Sequence, residues 1–407
     1  MSKKIGVLTI FLIVNLILSC NFLITKAEIL PNPEKPFSYI ETNNFLDVCL
    51  GAGHQAVITS EGRVFTWGEN RYGQLGDGTN VNKFTLVEIT NQFELSGDEK
   101  IISISLGRHH SVALTNEGRV FTWGRNNVTQ LGNGTIIDSN IPVEITAQFN
   151  LSVNDQITAV AANYDNSGAI TSLGKIYTWG ENKAGQLGNG STNRYFSPVE
   201  ITSQFPLNET DGVNKISIGN NFFAVSTNKG RIFTWGYNDE GQLGTGTKDE
   251  RSLIPIEIFA DIYLNMGEVF ADISLGDKHS AAVTNYGRIF TWGDNVSGQL
   301  GDGTNIDSSV PLEITSQFDI NVEEKIINVD LGNNHSAALT SSGKLYTWGH
   351  NINGQLGNGT TSHSTTPVEI TSQFSETPVK VSLGTNYSAT ITNSGRLFIW
   401  GNLATSG

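Results

Sequence analysis

Seven Trp-Gly dipeptides recur along the 407-residue chain, and no tryptophan lies outside them. They begin at Trp67, Trp123, Trp179, Trp235, Trp292, Trp348 and Trp400, with spacings of 56, 56, 56, 57, 56 and 52 residues. A period of this length means that one small unit is copied and stacked, as in a propeller or a solenoid. A chain this long would ordinarily suggest two or three domains, but a periodic chain can close into one.

Columns counted back from tryptophan define the unit. Glycine stands five residues before every Trp, from Gly62 to Gly395, and a basic residue follows it each time. Threonine stands eight before, from Thr59 to Thr392, and glycine stands sixteen before in all copies except that with Asn163. Short apolar runs, Ser-x-Ala-x-Thr segments such as 280–284, and Arg-Val-Phe-Thr-Trp-Gly at 63–68 and 119–124 alternate with period two, as strands do. Pro-Val-Glu-Ile-Thr at 142–146 and 198–202 reads as a fourth strand, opened by proline at a sheet edge. The Gly-Arg and Gly-Lys pairs read as hairpin turns. Short segments such as 90–93 and 315–318 link the copies, and no long helix is predicted.

The expected fold is therefore all-β: a seven-bladed β-propeller of four-stranded antiparallel blades. A Gly-rich loop, Asn70 to Thr79 in the first copy, joins the third strand to the fourth, and its lone leucine should plug it onto the blade. The seventh copy stops seven residues after Trp400, without this loop or the fourth strand. An open edge must be covered, so the segment from Pro31 to Thr42 is expected to return and close the last blade.

At these residues the chain resembles the regulator of chromosome condensation repeat family. That family's pattern of Gly-x-x-His-x-x-x-Leu, Gly-x-Val-Tyr-x-Trp-Gly-x-Asn and Gly-Gln-Leu-Gly-x-Gly is matched by 107–114, 118–126 and 298–303. The resemblance spans about residues 46–402 and implies the same seven-bladed ring. The His column departs from the pattern, reading His54, His110, Asn166, Phe222, His279, His335 and Tyr387, and Thr129 replaces a loop glycine.

Residues 1–27 are expected to be a targeting segment, with the propeller occupying 28–407. Lys3 and Lys4 precede an uncharged run from Ile5 to Thr25, and Thr25-Lys26-Ala27 offers a small-x-small cleavage site. Ile17-Leu18-Ser19-Cys20 also resembles a lipobox, which would lipidate Cys20, and the run is long enough to remain as an anchor. Each alternative exports the rest of the chain, to a secreted or cell-surface location, with membrane contact only through this segment. Cys20 and Cys49 are the only cysteines, so stability must come from the core, and Cys49 should be buried and inert.

The net charge of −14 disfavours nucleic acid and favours a neutral or basic protein partner. The His column tolerates Phe and Tyr, which argues for hydrogen bonding within each blade rather than metal binding. The Glu column (Glu88, Glu144, Glu200, Glu257, Glu313, Glu369) should be a solvated strand face. The Gly-rich loops lack the strand-to-helix setting of phosphate-binding motifs. Neither catalytic residues nor a cofactor or metal is expected. Sequons occur at Asn127, Asn208 and Asn295, among others.

The function read from these features is a non-catalytic interaction scaffold that presents rim loops. Alternatives are a guanine-nucleotide exchange factor for a small GTPase, as in the family's founding member, or a lectin or enzyme using a rim. Because the repeats are architecture, partner contacts are sought where copies differ: Tyr164, Asp165, Phe222 and Phe223, and the linker from Phe259 to Phe270.

Overall fold

A computed structural model describes residues 44–402 except 209, 250 and 259–263, together with the backbone of two short strands at 30–31 and 38–40. The targeting segment, with Cys20, lies outside the described residues. Seven antiparallel sheets form the ring. In the first blade the strands run outward as Phe45–Leu50, His54–Thr59, Val64–Gly68 and Lys83–Glu88. The second and third strands of each blade are buried nearly throughout, because neighbouring blades cover both faces.

The Trp-Gly dipeptide ends the third strand of every blade but the fourth, where Tyr237 follows it. In Trp348-Gly349 the glycine sits at φ 98°, and an added Cβ would lie 2.7 Å from the Asn334 carbonyl oxygen. The left-handed backbone and the close approach both require glycine. Short 3₁₀ turns at Thr90–Phe93, Thr146–Gln148, Thr202–Gln204, Thr315–Gln317 and Thr371–Gln373 follow the outer strands. Each carries the chain to the next blade and brings a phenylalanine against its aromatic residues. Phe93 meets Trp123 edge-on, with centroids 5.6 Å apart at 77°. Such pairs contribute roughly 0.5–1.5 kcal/mol beyond the area they bury.

Proline does not open the fourth strand in most blades. Pro142 lies inside Ser139–Glu144, where the register breaks between Ser139 and Val143. The bulge leaves this stretch unpaired, so the missing N–H costs no ladder bond. Only in the third blade, where the strand shrinks to Val199–Glu200, does Pro198 precede it.

The last blade closes as expected. Ser38, Tyr39 and Ile40 pair antiparallel with Ile399, Phe398 and Leu397, filling the fourth position. Leu30–Pro31 then pairs with Ser38–Tyr39 and adds a fifth strand.

Candidate interaction site on one rim

Most polar repeat residues are consumed by the scaffold. The buried histidines bond between blades, not within them as expected: His54 Nε2 meets Ser111 Oγ at 3.0 Å, and His110 meets Ser167 at 2.8 Å. His279–Ser336 and His335–Ser388 repeat the contact. Each serine donates onward to the carbonyl of a loop glutamine from the preceding blade, as Ser111 does to Gln74 at 3.0 Å. The imidazole Nε2 must then be the donor, leaving Nδ1 bare and the ring neutral. Burial holds all four histidines down to about 3. The same glutamine carbonyl accepts the next blade's indole N–H, as Gln74 does from Trp123 at 2.9 Å.

The Gly-rich loop is thus a clamp on the following blade. Leu75 is fully buried, and the Asn70 side chain ties the loop to itself by accepting from Leu75 N–H and donating to Thr79 O. Asp77 accepts from Thr79 N–H and Asn70 Nδ2, so Gly76-Asp77-Gly78-Thr79 is a turn bonded within its own loop. Among the described residues no cluster of three or more His, Cys, Asp or Glu is arranged to hold a metal. In the Glu column, Glu88 and Glu313 face solvent yet are paired: Glu88 receives Arg63 at 2.6 Å, and Glu313 receives Arg288 at 2.7 Å.

The inner strands surround a cavity of about 650 Å3 with contributions from every blade. Several of its charges are paired or hydrogen-bonded, whereas Arg108 at its edge has no carboxylate partner among the described residues. Lys380 meets Asp47 at 2.9 Å, and Lys215 pairs with Asp272. Asp330 accepts from the Leu383 amide at 2.6 Å, and burial raises it to about 6. Cys49 is only partly buried on this lining, where desolvation, reinforced by Asp47, pushes its thiol up to about 12.

A second concavity of about 550 Å3 lies on the rim of the second to fifth blades. Arg108, Tyr164, Asp165, Gln186, Asn221 and Lys278 are among the residues lining it. Tyr164, at φ 46°, reaches across the fourth blade and donates to Asp277 of the fifth at 2.8 Å. Asn220 donates to the same carboxylate oxygen at 2.6 Å. Desolvation raises the Asp165 carboxyl against the opposing pull of Arg125 and Arg108.

Phe222 and Phe223 do not belong to this surface. Both are fully buried, and Phe223 stacks on Trp235 with centroids 5.4 Å apart. They replace the His and Ser of the repeat with core aromatics and so offer a partner no side-chain surface. Of the linker 259–270, residues 259–263 lie outside the described residues; Leu264 packs against the core, and Met266 is exposed. Asn127 and Asn208 are exposed, whereas Asn295 is buried and bound within its loop.

The RCC1-like domain pattern matches residues 95–406, and the regulator of chromosome condensation (RCC1) repeat matches 61–114 and 45–74. The ultraviolet-B receptor UVR8 of Arabidopsis thaliana is 31% identical over 82% of this chain and 71% of its own length. The E3 ubiquitin-protein ligase HERC2 of Homo sapiens is 30% identical over 86% of this chain, which spans only 7% of that protein. Among solved structures, human WBSCR16 superposes with a TM-score of 0.75 at 23% identity, covering 92% of this chain and 94% of that one. Prp20p of Saccharomyces cerevisiae superposes at 0.71 and 21% identity, covering 90% and 83%. The chain belongs to the regulator of chromosome condensation repeat family.

Proposed function

We propose that the protein is an exported, non-catalytic scaffold that binds a partner protein through the rim bearing Tyr164 and Asp165. One observation carries this reading. Repeat-column polar groups are spent on holding blades together, while the copies that break the pattern surround an open concavity. Loops on a rigid scaffold are where binding residues gather. Prp20p, whose structure was described together with its binding to Gsp1p and histones, is a propeller of this shape that meets proteins. Export rests on Lys3, Lys4, the uncharged run after them and the site at Ala27.

At long range the net charge of −14 favours a partner that is neutral or basic as a whole. The test is affinity capture from the extracellular fraction of the source with the purified protein and with Tyr164→Ala and Lys278→Ala variants. A partner retained by the wild type and lost by folded variants supports the scaffold. GDP release from a small GTPase, or turnover of a glycan, would replace it. The mass of the mature N-terminus distinguishes cleavage after Ala27 from lipidation at Cys20 or a retained anchor.

A further inference from the structure

The arginines of this protein fall into two groups. Those that follow the hairpin glycine are held by carboxylates of their own blade, as Arg63 is by Glu88, Arg119 by Glu99 and Glu144, and Arg231 by Asp211 and Glu257. Arg71, Arg108 and Arg125, like Arg194 and Arg251, have no carboxylate within ion-pair distance among the described residues, although acidic residues outnumber basic ones 39 to 25.

These three converge on one rim. Arg71 belongs to the first blade's clamp loop, and Arg108 and Arg125 follow the first and third strands of the second blade, which end on the same side. The Arg125 guanidinium lies over the Tyr72 ring at 4.8 Å, and Tyr72 packs against His109 with centroids 5.1 Å apart. Desolvation, then the charges of Arg108, Arg125 and Arg71 in turn, hold His109 down to about 4. The imidazole therefore adds no positive charge at neutral pH but extends the stacked surface. Arg71 and Arg108 are exposed, and Arg108 borders both the central cavity and the rim concavity. The neighbouring acid Asp165 is engaged by Gln130 at 3.0 Å.

We propose that Arg71, Arg108 and Arg125, arranged about Tyr72 and His109, form a docking site for a short acidic segment of a partner protein. This rests on the scaffold reading and names the chemistry of its contact. Planar guanidinium groups bind carboxylates with paired, directional hydrogen bonds. The patch is local, so an extended polyanion would be repelled by the acidic surface beyond it, whereas a short segment would be reached within a Debye length of about 8 Å at physiological salt. A partner neutral or basic as a whole can carry such a segment.

The experiment titrates a fluorescent peptide of alternating Glu and Gly, and its Gln-for-Glu counterpart, into the purified full chain. Binding of the acidic peptide alone is expected, weakening with salt. Replacing Arg71, Arg108 and Arg125 together by Gln should lower its affinity by about tenfold or more while the melting temperature holds. Arg194→Gln, which removes an exposed charge elsewhere, should leave the affinity within about twofold. Equal binding of both peptides, or no loss in the triple variant, overturns the assignment, as does tighter binding of a short oligonucleotide at the same residues. If the acidic peptide fails while a captured partner is still lost with Tyr164→Ala, the docking site falls and the scaffold stands.

Discussion

Tyr387 in the last blade accepts a hydrogen bond from Gln55 Nε2 in the first at 2.8 Å, joining residues 332 positions apart. The same hydroxyl donates to the Gly51 carbonyl at 2.8 Å. Four of the other junctions are His–Ser pairs, and here both sides have changed together at the seam where the ring closes. Tyr387→Phe should destabilise the protein by about 1–3 kcal/mol, because it strands a buried amide donor. The double variant Tyr387→His with Gln55→Ser rebuilds the repeat's own pair and should recover part of that loss. Urea unfolding of the singles and the double measures the coupling, and strict additivity would reject it.

The N-terminal strand should matter to the whole ring. Deleting residues 28–42 removes the strand at 38–40 and exposes the 397–401 strand as a free edge. The melting temperature should fall, and proteolysis should begin in the last blade. An unchanged melting temperature would reject this closure.

Acid should loosen the junctions between blades. His54, His110, His279 and His335 are held near 3 when folded, against an ordinary value of 6.5. Between these limits the unfolded chain binds more protons, so stability falls as pH drops through that window. Each histidine contributes about 1.4 kcal/mol per pH unit there. Asp330 acts oppositely: its folded value, raised to about 6, lets the folded state gain protons first, so its contribution fades as pH rises from 3.8. Denaturant titrations at successive pH values should show the histidine trend prevailing. His279→Gln should flatten the slope, and an unaltered slope would sink the account.

Two glycines of one clamp loop separate contact from conformation. Gly132 and Gly134 both have positive φ, 64° and 81°. An added Cβ at Gly132 would lie 2.8 Å from Trp179 Cδ1, whereas one at Gly134 meets nothing within 4 Å. Gly134→Ala should cost about 1 kcal/mol for backbone strain, and Gly132→Ala distinctly more. Equal costs in thermal unfolding would mean that the loop does not press on the indole as described.

The blades were legible because they are written in registered columns, and a column of Trp-Gly admits few backbones. Closure was legible as an absence, since the seventh copy lacks its outer strand. What sequence reasoning missed lies between copies. The His column was assigned bonds within a blade, although its partner serines stand one copy further on. A signal was present: Tyr387 departs from the His column where Gln55, cyclically next, departs from the Ser column. Phe222 and Phe223 looked like exposed deviations, yet a deviation can equally be a different way of filling the core. Arg71, Arg108 and Arg125 are far apart in sequence, and only the loop geometry brings them together.

The clamp loops also give the ring a direction. Each loop reaches forward, from the Gln74 carbonyl to Trp123 and from Gln130 to Trp179, and no indole N–H among the described residues bonds a loop of the following blade. A blade is therefore sealed by its predecessor, and local opening should spread toward higher-numbered blades. Among the described residues no such loop precedes Trp67, so the relay starts at the first blade. There the Tyr387–Gln55 bond and the N-terminal strand act as the fastener that keeps a one-way chain of handholds from unwinding at its beginning.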